Sequence, residues 1–166
     1  MFTFWMIVLN TGFWIALHFG CGFLVTGMPE RIRQKLYNPD KRFFRVTDRE
    51  MRFYRIIRLP KWKDRLPQYN RDFDKRHLPK PVTRAFCAAY RAHTAQSEAV
   101  HLLIFVLGYL SVGFCLLCDD PLGNLPLFFV IATVVGVGNL PFAWIQRYNR
   151  KRLERMMMCF DRVKAA

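Results

Sequence analysis

The chain alternates three long apolar stretches with two polar ones. The apolar stretches cover residues 4–28, 99–117 and 125–145. A run of roughly 18 or more apolar residues can cross a bilayer core as a helix. We therefore predict an all-α membrane protein with three transmembrane helices, near residues 4–27, 99–117 and 125–145. We expect residues 1–166 to form a single integral membrane domain.

The charge of the chain is confined to the polar stretches. All 26 Lys and Arg lie within residues 29–98 and 147–166, and the formal net charge is +14. Because an excess of Lys and Arg marks cytoplasmic loops, we predict a basic amphipathic cytoplasmic loop region over 29–97 and a cytoplasmic tail over 147–166. The N-terminus and the short loop with Asp119 and Asp120 then lie outside. This segregation favours membrane lipid as a partner over nucleic acid.

The first basic stretch contains a second kind of helix. Thr47 and Glu50 have the spacing of a capping box, in which each side chain satisfies the other's backbone N–H. Basic and bulky apolar residues then interleave: Arg49, Arg52, Phe53, Tyr54, Arg55, Ile56, Ile57 and Arg58. Such a mixture suits the anionic inner face of a membrane.

Four prolines punctuate the segment that follows, Leu59 to Pro81, which indicates a loop or short helices. Trp62 and Tyr69 are side chains of the kind that anchor a segment at the headgroup level. The same segment carries a dense set of titratable groups: Asp64, Asp72, Asp74 and His77.

Glu98 and His101 stand where the second apolar stretch begins. They are three residues apart, so they share one face of a helix. Ionisable groups at the edge of a span are costly unless they are paired or hydrated, and they point to a functional site. The alternative is an ordinary interfacial helix start, with Ser97 as N-cap and Glu98 favoured by the helix dipole.

Several short motifs resemble a known family, and their order and rough spacing are kept from the first span to about Leu153. They are Arg33-Gln34-Lys35, Lys61-Trp62-Lys63, Phe73 to Leu78, Glu98-Ala99-Val100-His101, Asn139-Leu140-Pro141, Gln146 to Arg150, and Arg152-Leu153. The family is that of the glycosyl-4,4'-diaponeurosporenoate acyltransferases, small membrane enzymes of bacterial carotenoid biosynthesis. The resemblance implies transfer of a fatty acyl group to a sugar hydroxyl of a glycosylated lipid or carotenoid.

Acyl transfer to a hydroxyl needs a base near the attacking oxygen and donors for the developing oxyanion. His77 or His101 is the candidate base, and His77 is preferred because it lies in the most family-specific motif. Asp74 or Glu98 could hold the imidazole tautomer, as the third member of a catalytic triad does.

The remaining motif residues are expected to bind substrates at the cytoplasmic interface. Arg147 and Arg150 could bind an acyl donor's phosphates or stabilise the oxyanion. The full set of expected substrate-binding residues is Trp62, Lys63, Arg76, Asn139, Gln146, Arg147, Asn149 and Arg150. The expected partners are membrane lipid, an acyl donor (acyl-CoA or acyl carrier protein) and a glycosylated acceptor, with no cofactor and no metal.

Two alternatives stay open. Asp74, His77, His93, Glu98 and His101 supply enough ligands for zinc or iron, which would make the protein a metal-dependent membrane enzyme. The basic face could instead recruit anionic lipid or a partner in a non-catalytic membrane adaptor, for which His77 would be dispensable.

Overall fold

The structure is a computed structural model that describes residues 2–67 and 79–165. Every regular element in these ranges is a helix. The α-helices are α1 (Phe2–Gly27), α2 (Glu30–Leu36), α3 (Asp48–Ile56), α4 (Leu59–Trp62), α5 (Arg84–Leu107), α6 (Pro121–Val137) and α7 (Leu140–Ala165). Short 3-10 helices cover Arg42–Phe44, Lys63–Arg65 and Gly108–Leu117. The predicted all-α class is confirmed.

Three helical stretches are long and apolar enough to cross a membrane. They are Phe4–Gly27, Arg84–Leu117 and Pro121–Val163. The number of spans and their order agree with the prediction, so the chain is a multi-pass membrane protein. The second and third stretches are longer than predicted, because the polar segment before the second span and the polar segment after the third span are also helical.

The second span changes its helix type part-way. The helix α5 begins at Arg84, well before the apolar stretch, and a 3-10 helix follows over Gly108–Leu117. Ten residues of 3-10 helix rise about 20 Å, against about 15 Å for the same residues in an α-helix. Gly108 lies directly against the indole of Trp14, and a methyl group at Gly108 would overlap that ring. The change of helix type therefore coincides with a close approach of α1.

The third span also differs in its bounds from the predicted residues 125–145. Helix α6 begins earlier, at Pro121, because the Asp120 side chain accepts a hydrogen bond from the Gly123 N–H at 3.0 Å and caps the helix. The helix then breaks at residues 138–139. Pro141 has no N–H to donate to the carbonyl of Val137, and this favours a break at that point.

The chain divides into two compact units. Unit 1 comprises Met1–Glu30 and Ala99–Ala143, and unit 2 comprises Arg31–Glu98 and Trp144–Ala166. The core of unit 1 is built around Trp14, Cys21, Ile104 and Ala132. The expected single integral membrane domain over residues 1–166 stays a prediction.

The core of unit 2 lies where α3 and α4 pack against the part of α7 that begins at Trp144. Val46, Met51, Tyr54, Leu59 and Ile145 are its buried members. The predicted capping box at the start of α3 is confirmed. The Thr47 N–H donates to Glu50 Oε2 at 2.8 Å, and the Glu50 N–H donates to Thr47 Oγ1 at 3.2 Å.

Candidate functional site

The Glu98 side chain on α5 is buried in unit 2, with only 1% of its surface exposed. Two arginines of α7 hold its carboxylate. Arg147 Nη1 donates to Glu98 Oε1 at 2.5 Å, and Arg150 Nη2 donates to Glu98 Oε2 at 2.5 Å. A buried carboxylate is costly unless such partners compensate its charge. Glu98 is therefore a paired interior group.

Arg147 connects three parts of unit 2. Its Nε donates to Glu50 Oε1 at 2.8 Å, so the residue that caps α3 also binds α7. Its Nη1 donates to the carbonyl of Phe43 at 3.1 Å, and its Nη2 donates to the carbonyl of Arg45 at 2.9 Å. Together with the bond to Glu98, these contacts use four of its five N–H donors.

Arg150 is completely buried, with 0% of its surface exposed. Its Nε and Nη2 donate to the hydroxyl and the carbonyl of Thr94, each at 3.1 Å. Its Nη1 donates to the carbonyl of Phe44 at 2.6 Å, and the guanidinium lies 5.4 Å from the centre of the Phe44 ring. We call Glu50, Glu98, Arg147 and Arg150 the arginine–carboxylate cluster. Its formal charges sum to zero, and it ties the 43–45 segment to α5 and α7.

The cluster changes the acid–base behaviour of α3. Burial raises the pKa of Glu50, but hydrogen bonds from Arg147 and Thr47 outweigh burial and leave this pKa below its ordinary value. Burial, reinforced by the negative charge of Glu50, raises the pKa of Tyr54 to about 12. Glu50 is therefore held ionised and Tyr54 is held neutral at ordinary pH.

Unit 1 contains a second polar group, formed by His101 on α5 and Asn139 at the break between α6 and α7. His101 Nδ1 lies 3.2 Å from Asn139 Oδ1. Asn139 is buried, and its Nδ2 donates to the carbonyl of Val135 at 3.1 Å. The Asn139 N–H donates to Gly136 instead of Val135, as in a 3-10 turn, which leaves the Val135 carbonyl for the side chain. We call His101 and Asn139 the histidine–asparagine pair.

The hydrogen bonds of Asn139 assign the tautomer of His101. Because the amide nitrogen of Asn139 is used by Val135, its oxygen faces the imidazole and can only accept. In the neutral imidazole, His101 Nδ1 then carries the proton and Nε2 carries the lone pair. The Phe142 ring stacks on the imidazole, with centroids 5.0 Å apart and an interplanar angle of 17°. The ring orientation is thus fixed by two neighbours.

A family model described as glycosyl-4,4'-diaponeurosporenoate acyltransferase matches residues 33–158 of the chain. The chain belongs to this family. It is accordingly an acyltransferase of carotenoid biosynthesis, and the family's acceptor is a glycosylated carotenoid. No curated protein and no solved structure matches the chain. Family membership decides against a non-catalytic adaptor.

The matched family region contains all the predicted site residues, but the structure describes only some of them. Asp74, Arg76 and His77 lie outside the described residues. Their predicted roles, including that of His77 as the preferred base, stay predictions.

Two predicted substrate-binding residues pack inside unit 2 of the acyltransferase. Trp62 packs against the core, and its indole N–H donates to the carbonyl of Ile57 at 2.9 Å. Lys63 is buried, and its Nζ lies 2.8 Å from Asp64 Oδ1. Both side chains make internal contacts that stabilise the fold, and a role for either in binding substrate stays a prediction.

The predicted residues of α7 have different surroundings. Gln146 is half-buried, whereas Asn149 is buried. Arg147 and Arg150 each use four of their five N–H donors in contacts within unit 2. Their predicted part in binding the donor's phosphates or an oxyanion is untested.

The metal hypothesis finds no support in the part of the chain that the structure describes. Residues 2–67 and 79–165 contain no group of three or more His, Cys, Asp or Glu that could hold a metal ion. Glu98, one of the proposed ligands, has both carboxylate oxygens bound by arginine. Asp74 and His77, two further ligands of that hypothesis, lie outside these residues.

Three hydrogen-bonding partners of Arg147 and Arg150 were not predicted from the sequence. Glu50 was identified only as a capping residue, and Thr94 and the Phe44 carbonyl were not singled out at all. Glu50 and Arg147 are 97 residues apart in the chain. The sequence did show that a carboxylate and two arginines flank apolar stretches. Because buried charges need partners, this indicates that such residues form ion pairs. That signal does not say which residues pair.

Proposed function

We propose that His101 is the general base of the acyl transfer and that Asn139 is the residue that positions it. The observation that carries this proposal is the 3.2 Å contact between His101 Nδ1 and Asn139 Oδ1. It gives the imidazole a fixed tautomer with a free Nε2 lone pair. A general base needs that lone pair and a fixed orientation toward the proton it removes.

The reaction then proceeds by nucleophilic attack at the acyl carbonyl. His101 Nε2 removes the proton from a sugar hydroxyl of the glycosylated carotenoid while the hydroxyl oxygen bonds to the acyl carbon. As the tetrahedral intermediate collapses, the bond from the acyl carbon to the donor's sulfur breaks. The imidazolium returns its proton to the departing thiol of coenzyme A or acyl carrier protein. The products are the ester and the free thiol, and His101 regains its starting state.

The acyl donor in this proposal is a thioester on the cytoplasmic side. All Lys and Arg of the chain lie in the two blocks assigned to that side, 29–98 and 147–166, and this bias sets the orientation of membrane proteins. The N-terminus then lies outside and the C-terminus inside. Acyl-CoA and acyl carrier protein are both anionic, so the basic side is the one that attracts them.

His77 is the rival base, and one pair of variants separates the two histidines. His101→Gln and His77→Gln are each expressed in membranes at matched protein amounts, and a labelled acyl group is followed into the glycosylated carotenoid. We expect His101→Gln to lower the transfer rate by about 10²–10⁴-fold, the usual contribution of a general base. His77→Gln should keep most of the rate. The reverse pattern would assign the base to His77, and near-normal rates in both would leave no histidine base.

Asn139 is tested by a readout that loss of packing alone would not change. In Asn139→Asp the side chain still accepts from His101 Nδ1, but its negative charge stabilises the imidazolium. We therefore expect the acid limb of the pH–rate profile to move to higher pH. Asn139→Leu should lower kcat without that shift. An unmoved acid limb in an active Asn139→Asp enzyme would contradict the positioning role.

A further inference from the structure

Helix α3 presents an outward face of mixed arginine and apolar side chains. Arg49 and Arg52 on α3, and Arg58 shortly after its end, are exposed, and none of the three forms an ion pair with any described residue. Between them, Phe53 keeps 42% and Ile56 keeps 78% of its surface exposed. A large exposed apolar residue surrounded by unpaired cations indicates a surface that is covered by something both apolar and anionic.

The inward face of α3 is attached to α7 at a defined height. Met51 and Tyr54 are buried in the core that contains Ile145. At the edge of the outward face, the partly exposed Phe53 ring meets the Trp144 ring edge-on, with centroids 5.6 Å apart. Trp144 and Ile145 end the apolar stretch of α7, and Gln146 and Arg147 follow. Since a span meets the headgroups where its sequence turns from apolar to charged, α3 is held at the boundary between acyl chains and headgroups.

We propose that α3 is an interfacial helix that binds anionic phospholipid headgroups. Phe53 and Ile56 enter the boundary of the acyl chains, and the three arginines contact lipid phosphates. This arrangement is typical of amphipathic segments at anionic membrane surfaces. The inference uses no residue of the histidine–asparagine pair, so it stands or falls independently of the proposed base.

An acidic protein such as an acyl carrier protein is the competing occupant. Its carboxylates would satisfy the arginines in the same way. The position of α3 beside Trp144 favours lipid, because Ile56 then has an acyl-chain environment available without any partner. If lipid is the occupant, the bilayer alone covers Ile56. If a protein is the occupant, Ile56 is covered only after that protein is added.

The test places a nitroxide spin label on the outward face of the full-length protein. Cys118 and Cys159 are first replaced by serine, and Ile56→Cys or Val163→Cys is then labelled in proteoliposomes of phosphatidylcholine with or without phosphatidylglycerol. Val163 is a matched control because it is also 78% exposed. It lies about 27 Å further along α7 than Ile145, at 1.5 Å per residue. Relative access to oxygen and to a water-soluble nickel complex reports depth.

In bilayers with phosphatidylglycerol, we expect the label at residue 56 to have the oxygen access of the acyl boundary and the label at residue 163 to read as aqueous. Each arginine near an anionic leaflet strengthens binding by about fivefold. Arg49→Gln with Arg52→Gln should therefore lower the ratio of membrane-bound to aqueous label at residue 56 by roughly 25-fold. Arg152→Gln with Arg162→Gln removes the same charge elsewhere and should leave that ratio unchanged.

Two results would overturn the proposal. The first is a label at residue 56 whose oxygen and nickel access is that of bulk water in both lipid mixtures. This includes the case in which the label becomes covered only after acyl carrier protein is added. That case would make α3 a protein-docking surface. The second is an equal loss of membrane-bound label in the two double variants, because the effect would then reflect total charge and not α3. Ile56 is highly exposed, so its replacement is not expected to unfold the protein.

Discussion

Replacing Glu98 by glutamine is the sharpest test of the arginine–carboxylate cluster. The change keeps the shape of the side chain and creates no cavity. It removes the negative charge that both Arg147 and Arg150 contact. A glutamine offers one acceptor oxygen where two are used, and its amide N–H groups would face a guanidinium.

The size of the effect follows from the burial of the partners. Arg150 is 0% exposed, and its other acceptors are the neutral groups of Thr94 and Phe44. Without Glu98, its charge is buried and uncompensated. Removing one partner of a buried ion pair costs about 3–5 kcal/mol. We expect Glu98→Gln to lower the free energy of unfolding by about that amount.

The measurement is denaturant unfolding of the purified protein in detergent micelles. Glu154→Gln is a suitable control, because Glu154 also binds an arginine, Arg91, at 3.1 Å but is 22% exposed. Partial access to solvent screens this pair, so its loss should cost less than that of the fully buried pair; fully exposed pairs contribute about 1 kcal/mol or less. The double variant Glu98→Gln/Arg150→Gln should cost less than the sum of the two single variants, because residues in one ion-pair network couple.

A loss below about 1 kcal/mol for Glu98→Gln, similar to that for Glu154→Gln, would refute this reasoning. Strict additivity in the double variant would refute it as well. Either result would mean that Glu98 and Arg150 do not depend on each other, and that the 43–45 segment is held by other contacts.

Three further predictions concern acid–base behaviour, packing and topology. Because burial raises the pKa of Tyr54 to about 12, while an unfolded tyrosine ionises near 10, the folded form should lose about 2–3 kcal/mol as pH rises from 10 to 12. Subtracting the profile of Tyr54→Phe isolates that loss, and identical profiles would contradict it. Gly108→Ala should lower the free energy of unfolding by about 1–3 kcal/mol, because the added methyl overpacks against Trp14. Gly113→Ala is the control and should be nearly neutral in the same unfolding assay, because nothing lies within 4 Å of its added methyl. Equal losses in the two variants would be evidence against the close approach of Gly108 and Trp14. A reporter fused after Ala166 should read as cytoplasmic, and an external reading would reverse the proposed orientation.

The sequence was sufficient where the physical cause is local. Bilayer thickness requires a continuous apolar run, so hydropathy alone located the three spans. The capping box at Thr47 and Glu50 lies within four residues and is visible as a spacing. The order and spacing of the short motifs likewise indicated the family. Each of these signals is carried by neighbouring residues or by a fixed order of motifs.

Helix boundaries were less predictable, because the side chains that end a helix compete with hydropathy. The third span was expected from residue 125, but Asp120 and Pro121 start it earlier. The break at residues 138–139 follows a local rule as well, because the missing N–H of Pro141 favours it. These local rules are present in the sequence, although the apolar character of the stretch conceals them.

Only the tertiary structure decided which polar groups meet. Glu98 and His101 are three residues apart on one helix, and the sequence suggested that they act together. In the structure, Glu98 accepts hydrogen bonds from Arg147 and Arg150, whereas His101 contacts Asn139. The reason is energetic: a buried carboxylate requires cationic partners, whereas a neutral imidazole needs only one acceptor. Those partners lie 38 to 52 residues away along the chain, and packing of the helices, not sequence spacing, brings them together.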